Sequence, residues 1–419
     1  MALISLGFSG YLIFSGWMTI RYFRRELESI PAHAPEATVQ HWPRVALISP
    51  CKDLDPDFEA NMRMLLVQDY PNYEIVFVTL DQYDDTYPIL KRLVEESPVP
   101  ARLLFGGFSK KRCQKLDNMM AAMDALDDGI EIYAFVDSDA RVAPDWLRHL
   151  VAPLARPEVG ATTSYRWYRP EPWRPLTYAL CLWTGCQFSN FYNNRYVAAW
   201  GGSMAITRQR FVDLKIRRQW DNALSDDCVL NECVRKAGYR VEFVVPSMTS
   251  LSSDYHVKDI LIFAVRQCVI GKHTLKDVWG PSLCALTAIH IILMVGIWQL
   301  IAGATALWTT WAMLVFVPAG MIQSALFIYA LNQLRPYRPD SDPLFGRLSW
   351  ALWSPLAYVF VWLTLLASAF TDRFVWRQIY YRMVSDTETE VYRYPERFSE
   401  PSPQIKEVLN GGDISACIE

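Results

Sequence analysis

Acidic side chains at the ends of short apolar runs are the first chemistry this sequence offers. The run Ile132–Val136 ends in Asp137-Ser138-Asp139, and Tyr73–Leu80 runs into Asp81-Gln82-Tyr83-Asp84-Asp85. Arg44–Ser49 leads into Pro50-Cys51-Lys52-Asp53, and the stretch after Arg102–Phe105 carries Lys110, Lys111, Arg112 and Lys115. Carboxylates and lysines gathered at one edge suit a metal-bound diphosphate, because Mg²⁺ commonly takes one or two carboxylates plus phosphate oxygens. In a DxD both carboxylates can face one cation, although a solvated acidic loop has the same spelling. Asp226 and Asp227 follow Ser225. Acids there complement a helix dipole, or one of the two, its pKa raised by the other, serves as a general base. Spacing alone favours the dipole. No GxGxxG and no GxxxxGK[ST] occurs, which removes dinucleotide-binding and P-loop chemistry.

Those ends must be brought together by regular elements. Candidate strands are Arg44–Ser49, Tyr73–Leu80, Arg102–Phe105, Ile132–Val136, Gly160–Tyr165 and Arg240–Val245. Helical patterns lie between them: Asp55-Pro56 opens one running to about Gln68, Pro144 opens another, and Ser225 opens one that closes at Gly238. Alternating strands and helices predict an α/β domain with a mainly parallel sheet. Ligands of such sheets sit beyond the carboxyl ends of the strands, where the acids and lysines are.

The charges are unevenly distributed along the 419 residues. No Asp, Glu, Lys or Arg occurs in 1–20, 278–334 or 348–371, whereas 21–277 carries 65 charges in 257 residues. That pattern excludes a wholly soluble protein and predicts transmembrane helices at both ends of a soluble domain. Residues 1–22 read as a retained anchor, and Arg21, Arg24 and Arg25 put the following chain in the cytosol. The 57 uncharged residues 278–334 would make about 85 Å of helix, room for two spans near 282–303 and 306–331. A last span covers about 349–371. The domains expected are therefore the anchor, a cytosolic domain over 40–280, three transmembrane helices within 281–372, and 373–419 as an interfacial segment and tail. Alternation of the spans sends the C-terminus outside, yet Arg373, Arg377 and Arg382 follow the last one, and Trp376, Tyr380 and Tyr381 predict a headgroup position for 373–384. A net charge of −3 gives no basic face for nucleic acid, and nine irregularly spaced cysteines predict neither a disulfide framework nor a zinc site.

Taken together these motifs resemble glycosyltransferases of GT-A fold, and most closely the ceramide glucosyltransferase family. The resemblance is carried by the Asp81 strand end, Cys113-Gln114-Lys115-Leu116-Asp117-Asn118, Val136–Val142, Trp200-Gly201-Gly202-Ser203-Met204 and Leu224-Ser225-Asp226-Asp227. It covers about 44–280, with the flanking spans matching too. The family's D,D,D,(Q/R)xxRW signature departs at its end: Arg266 stands at the Q/R position and Val269-Ile270 replaces Arg-Trp. The plant-type branch looks similar. The resemblance implies a UDP-sugar donor held by Asp81, with Lys115 near the nucleotide and Pro50 and Lys52 at the first strand end. It implies Mg²⁺ or Mn²⁺ on Asp137 and Asp139, and Asp227 as the base, assisted by Asp226. It further implies direct displacement with inversion at the sugar carbon.

The departure leaves two cations to replace the lost Arg-Trp: Arg266, expected among the catalytic residues, and Lys272, expected at the sugar or acceptor. The Trp200-Gly201-Gly202 turn would let backbone approach the sugar or lipid head. Segment 175–194 is uncharged and carries Tyr178, Trp183, Phe188, Phe191 and Tyr192 beside Gln187 and Asn190. It reads as an amphipathic element against the membrane, or as core packing. The expected partners are a UDP-sugar, a membrane lipid acceptor and the bilayer, with glucose and ceramide as the leading pair. Another acceptor, a hopanoid or diacylglycerol, or a catalytically inactive lipid-binding homologue, is the alternative.

Overall fold

The structure, a computed structural model, describes residues 1–28, 41–169, 175–188, 190–252, 256–303, 307–333 and 348–399. Its strands in chain order are β1 Val45–Pro50, β2 Tyr73–Thr79, β3 Ala101–Phe105, β4 Ile132–Val136, β5 Val159–Thr163, β6 Arg166–Arg169, β7 Ser203–Thr207, β8 Arg240–Phe243, β9 Thr249–Ser252, β10 Arg373–Trp376, β11 Ile379–Met383 and β12 Thr389–Arg393. The helices are α1 Ala2–Glu28, α2 Phe58–Leu65, α3 Tyr87–Glu95, α4 Gln114–Asp124, α5 Trp146–Val151, α6 Pro175–Phe188, α7 Arg208–Asp213, α8 Ile216–Gln219, α9 Asp226–Lys236, α10 Val257–Thr274, α11 Lys276–Ile301, α12 Leu307–Leu314, α13 Phe316–Asn332 and α14 Ser354–Ala369.

A seven-stranded sheet in the order β3-β2-β1-β4-β7-β5-β8 forms the core. β1, β2, β3 and β4 are mutually parallel, and β5 is parallel to β8. β7 runs antiparallel to both its neighbours, β4 and β5. Every residue of β1 and β2 is buried, the pattern of parallel strands covered on both faces, which is why these runs lack apolar–polar alternation. The strands expected from the sequence are all present to within one or two residues. β7 was not anticipated: Ser-Met-Ala-Ile-Thr is short and follows two glycines, and it reads as the continuation of a turn.

The helix boundaries are instructive. α9 starts as expected, with the Ser225 hydroxyl accepting from the Cys228 amide at 3.1 Å. α2 begins at Phe58, later than Asp55-Pro56 predicts. Asp55 is not its cap, because that carboxylate accepts from the Ser138 hydroxyl at 3.0 Å and pairs with Arg377 from the far end of the chain.

Among the described residues four helices are long and apolar enough to cross a membrane: Ala2–Glu28, Lys276–Ile301, Thr310–Asn332 and Ala351–Ala369. Their directions follow from their contacts. The Ser5 hydroxyl donates to the Met313 carbonyl of α12, and Gly16 lies against Leu326 of α13, so α1 runs parallel to the span that α12 and α13 make together. At the end of α1, Tyr22 and Phe23 pack on Phe243 of β8, at the domain. α14 also runs toward the domain: Tyr358 sits against Phe316 and Gln323, whereas the Ser368 and Thr371 carbonyls accept from Lys272 at the end of α10. Simple alternation of crossings would point α13 and α14 in opposite directions. Both instead end at the domain.

After α14 the chain therefore returns to the domain. Residues expected in the headgroup region form the antiparallel sheet β10-β11-β12. Phe374, Ile379, Tyr381 and Met383 are buried in the core that includes the central sheet. Alternate residues of β11 point inward, the period expected of a strand with one covered face. Helix α6 likewise belongs to the bundle: Trp183 meets Phe263 of α10 edge-on at 5.9 Å and Phe360 of α14 at 6.3 Å. The core-packing reading thus holds for Trp183 and Phe191, both buried, while the side chains of Tyr178, Gln187 and Phe188 lie outside the described residues.

Candidate active site

One cavity lies over the carboxyl end of β4, and its inner wall is the set of strand ends and helix starts. Pro50 and Lys52 come from the end of β1, Lys115 from the first turn of α4, Asp137 and Asp139 from the end of β4, and Asp226 and Asp227 from the first turn of α9. Lys115 joins two of these elements. Its Nζ stands 2.7 Å from Asp137 Oδ1 and 3.1 Å from Asp226 Oδ2. Burial works against the ammonium, but the Asp137 and Asp226 carboxylates outweigh it and hold the lysine pKa above its ordinary range.

The adjacent acids differ. Asp226 is buried, and burial pushes its pKa up to about 7, with Lys115 opposing and Asp227 adding to the rise. Asp227 is half-buried and firmly oriented: its carboxylate accepts from the Gly201 amide at 2.9 Å, the Cys228 amide at 2.7 Å and the Ser225 hydroxyl. The glycines before β7 are required by this crowding. A Cβ at Gly201 would sit 2.2 Å from Asp226 Oδ2, and one at Gly202 would sit 2.0 Å from the Trp200 ring.

A divalent cation fits the end of β4. Asp139 Oδ1 is buried without a hydrogen-bond partner. Burial, then Asp55 and Asp137, push its carboxyl up to about 7, so a bound cation would relieve both the missing contact and the repulsion. Among the described residues no group of three or more acids, histidines or cysteines is arranged to hold a metal by itself. The chain thus offers two carboxylates, and a nucleotide's phosphate oxygens would complete the shell.

The outer wall comes from α10 and the C-terminal hairpin. Phe263, Arg266 and Ile270 of α10 face Phe374, Trp376 and Arg377. The Arg266 guanidinium lies 4.9 Å over the Trp376 ring. Gln114 and Tyr381 join the two walls, the Gln114 amide donating to the Tyr381 hydroxyl at 3.3 Å.

Of the expected residues Trp200 lines the cavity, Gly201 and Gly202 stand beside it without lining it, and two more are elsewhere. Asp81 does not line the cavity, and its carboxylate accepts from the Tyr83 amide in its own loop. Lys272 does not line it either: it pairs with Asp372 at 2.7 Å and caps the last carbonyls of α14. Its place at the last turn of α10 turns it toward α14, so of the two candidate cations only Arg266 reaches the site. Arg166, Trp376, Arg377 and Tyr381 were missed. The alternation Ile379, Tyr381, Met383 was available as a strand signal, but Arg377-Gln378 is not turn-like, and nothing local marks Arg166.

The site is thus a carboxylate-lined cavity at the strand ends of a mainly parallel sheet. The sequence profile of glycosyl transferase family 21, the ceramide glucosyltransferase family, matches residues 2–389. The chain belongs to that family and is a glycosyltransferase. Among solved structures it is similar to the mannosyltransferase PcManGT from Pyrobaculum calidifontis, in complex with GDP-Man and Mn²⁺, at 18% identity over 88% of this chain and 97% of that one, with a TM-score of 0.46. A mycobacterial protein is similar over 54% of this chain and 72% of its own, at 14% identity and a TM-score of 0.34.

Proposed function

We propose that the protein transfers glucose from UDP-glucose to the primary hydroxyl of ceramide, with inversion, at the cytosolic leaflet. The observation that carries this reading is the pairing of unlike walls. The inner wall offers carboxylates and a lysine to a nucleotide sugar, while Phe263 and Ile270 of the outer wall belong to α10, which leads directly into the membrane-type helix α11. An amphiphile can lie with its tail along that helix and its hydroxyl in the cavity.

Asp227 is the base. It is the accessible member of the acidic pair, and its three hydrogen-bond donors fix its direction. It accepts the proton of the acceptor hydroxyl as that oxygen bonds to the anomeric carbon. The bond from that carbon to the diphosphate breaks on the opposite face, and its electron pair leaves with UDP. Asp137 and Asp139 would hold Mg²⁺ or Mn²⁺, which when bound neutralises charge on the diphosphate. Asp226, tied to Lys115, orients the lysine beside the departing group.

The test incubates membranes containing the full-length protein with labelled UDP-glucose, UDP-N-acetylglucosamine, UDP-galactose and GDP-mannose. Ceramide, diacylglycerol and a hopanoid serve as acceptors. The expected product is a β-glucosylceramide. Transfer to diacylglycerol or the hopanoid alone would overturn the acceptor, transfer from another sugar nucleotide would overturn the donor, and a retained anomeric configuration would overturn the mechanism.

A further inference from the structure

The turn between β10 and β11 is made of residues that fit it poorly. Arg377 and Gln378 both have positive φ, 49° and 65°, where Asn-Gly or similar pairs are ordinarily found because Cβ crowds the backbone. Residues held in such conformations cluster where function compensates for the strain. Here the compensation lies inside the cavity. Arg377 pairs with Asp55, a carboxylate that also accepts from the Ser138 hydroxyl at 3.0 Å. Ser138 lies between Asp137 and Asp139, so the Arg377 guanidinium is linked through one carboxylate to the candidate metal ligands.

Two more guanidiniums face the same space. Arg166, at the start of β6, is 7% exposed, and its Nε is buried without a hydrogen-bond partner. It packs 5.1 Å over the Trp200 ring and 5.2 Å over Phe263. Arg266 rests on Phe263 and Trp376. Neither has a carboxylate within ion-pair distance among the described residues. Burial, then Arg377 and Arg166, push the Arg266 pKa down to about 10: like charges are crowded here, and an anion would relieve them.

We infer that the C-terminal hairpin completes the binding site, with Arg377, beside Arg166 and Arg266, taking the phosphoryl oxygens of the donor's diphosphate and releasing Asp55 as it does so. This rests on the glycosyl-transfer reading. Guanidinium suits the task because its planar fork meets two phosphoryl oxygens at once. Asp55 is then a competitor that holds the arginine while the site is empty. The link through Ser138 favours a diphosphate beside the DxD over the phosphate of a membrane lipid, which would approach from α10.

The experiment titrates UDP, GDP and uridine, with Mg²⁺ present, into the full-length protein in phosphatidylcholine nanodiscs, and repeats the UDP titration with phosphatidic acid in the disc. Arg377→Ala should weaken UDP binding by about 10- to 100-fold, the size expected for a charge-assisted contact, and leave uridine binding unchanged. Arg377→Lys should fall between. Since Arg377→Ala leaves Asp55 buried and unpaired, the double variant Asp55→Asn/Arg377→Asn removes both charges together and should show the same selective loss. Asp55→Asn alone should tighten UDP binding, which a merely structural pair would not do. Gln378→Gly should raise the melting temperature and keep UDP affinity. Arg377 variants that bind UDP normally would overturn the inference, as would equal losses of UDP and uridine. If phosphatidic acid competes with UDP in the wild type but not in Arg377→Ala, while UDP affinity is otherwise unchanged, the arginine reads a lipid phosphate and the diphosphate assignment is wrong. Wild-type protein that binds neither UDP nor GDP would instead defeat the glycosyl-transfer reading, and this inference with it.

Discussion

The two walls of the cavity are built by different means. The inner wall gathers Lys115, Asp137, Asp139, Asp226 and Asp227 because a parallel sheet delivers its strand ends to one edge. Its charges are interlocked: Lys115 spans Asp137 and Asp226, and Asp227 is held by Gly201, Cys228 and Ser225. The outer wall is assembled from α10 and a hairpin that arrives only after α14, and its arginines lean on rings and on Asp55. A preorganised wall of interlocked charges suits bond-breaking, whereas a wall of guanidiniums suits capture of an anion. Lesions in the first should therefore fall on turnover, and lesions in the second on affinity.

The largest effect expected is at Asp139. Asp139→Ala should abolish transfer and Mn²⁺ binding, read by electron paramagnetic resonance, with little change in the far-ultraviolet circular dichroism. Mn²⁺ bound as tightly as in the wild type would move the metal off the inner wall. Asp227→Asn comes next: single-turnover transfer should fall roughly 100-fold or more while donor affinity holds. If Asp226→Asn rather than Asp227→Asn produces that split, the two acids have exchanged roles.

Arg266→Ala sharpens the comparison from the other side. It should raise KM for the donor by about tenfold, the loss of one charge-assisted contact, and change kcat less; a pure kcat defect would erase the distinction between the walls. A smaller effect concerns pH. Asp226 has its carboxyl raised from 3.8 to about 7. Its contribution to native stability is thus fully present below the ordinary value and is lost as pH rises through about 7. Asp226→Asn lacks that loss, so the variant should gain stability relative to the wild type between about pH 4 and 7 and hold a constant difference above about pH 8. Denaturant melts of both proteins across that range check it. Lys272→Ala should do least, costing roughly 1–2 kcal/mol through the Asp372 pair and the α14 carbonyls, with turnover unchanged.

The same contrast explains what was legible in the sequence. Strand ends announce themselves locally, so Asp137 and Asp139 stand out after an apolar run, whereas Lys115 and the Ser225-capped acids take their roles from the family resemblance. Asp55 was misread as a helix cap because its true partner, Arg377, is 322 residues away. Lys272 was credited with a role at the site because sequence spacing does not reveal which neighbour a helix end meets. Segment 373–384 looked interfacial since arginine and aromatic residues serve a membrane surface and a docked sheet equally well. Local patterns disclosed the wall made of adjacent chain ends and not the one made by return.

That return has a temporal meaning. The chain emerges from synthesis N-terminus first, so the central sheet and every inner-wall residue exist before β10 and β11 have been made. Until α14 has turned back toward the domain and Tyr381 has reached Gln114, the cavity lacks its outer side. A chain halted before Arg373 would carry all of its acidic motifs and lack Trp376, Arg377 and Tyr381 from the cavity lining. The cavity is therefore whole only once the segment that follows the last long apolar helix has been made.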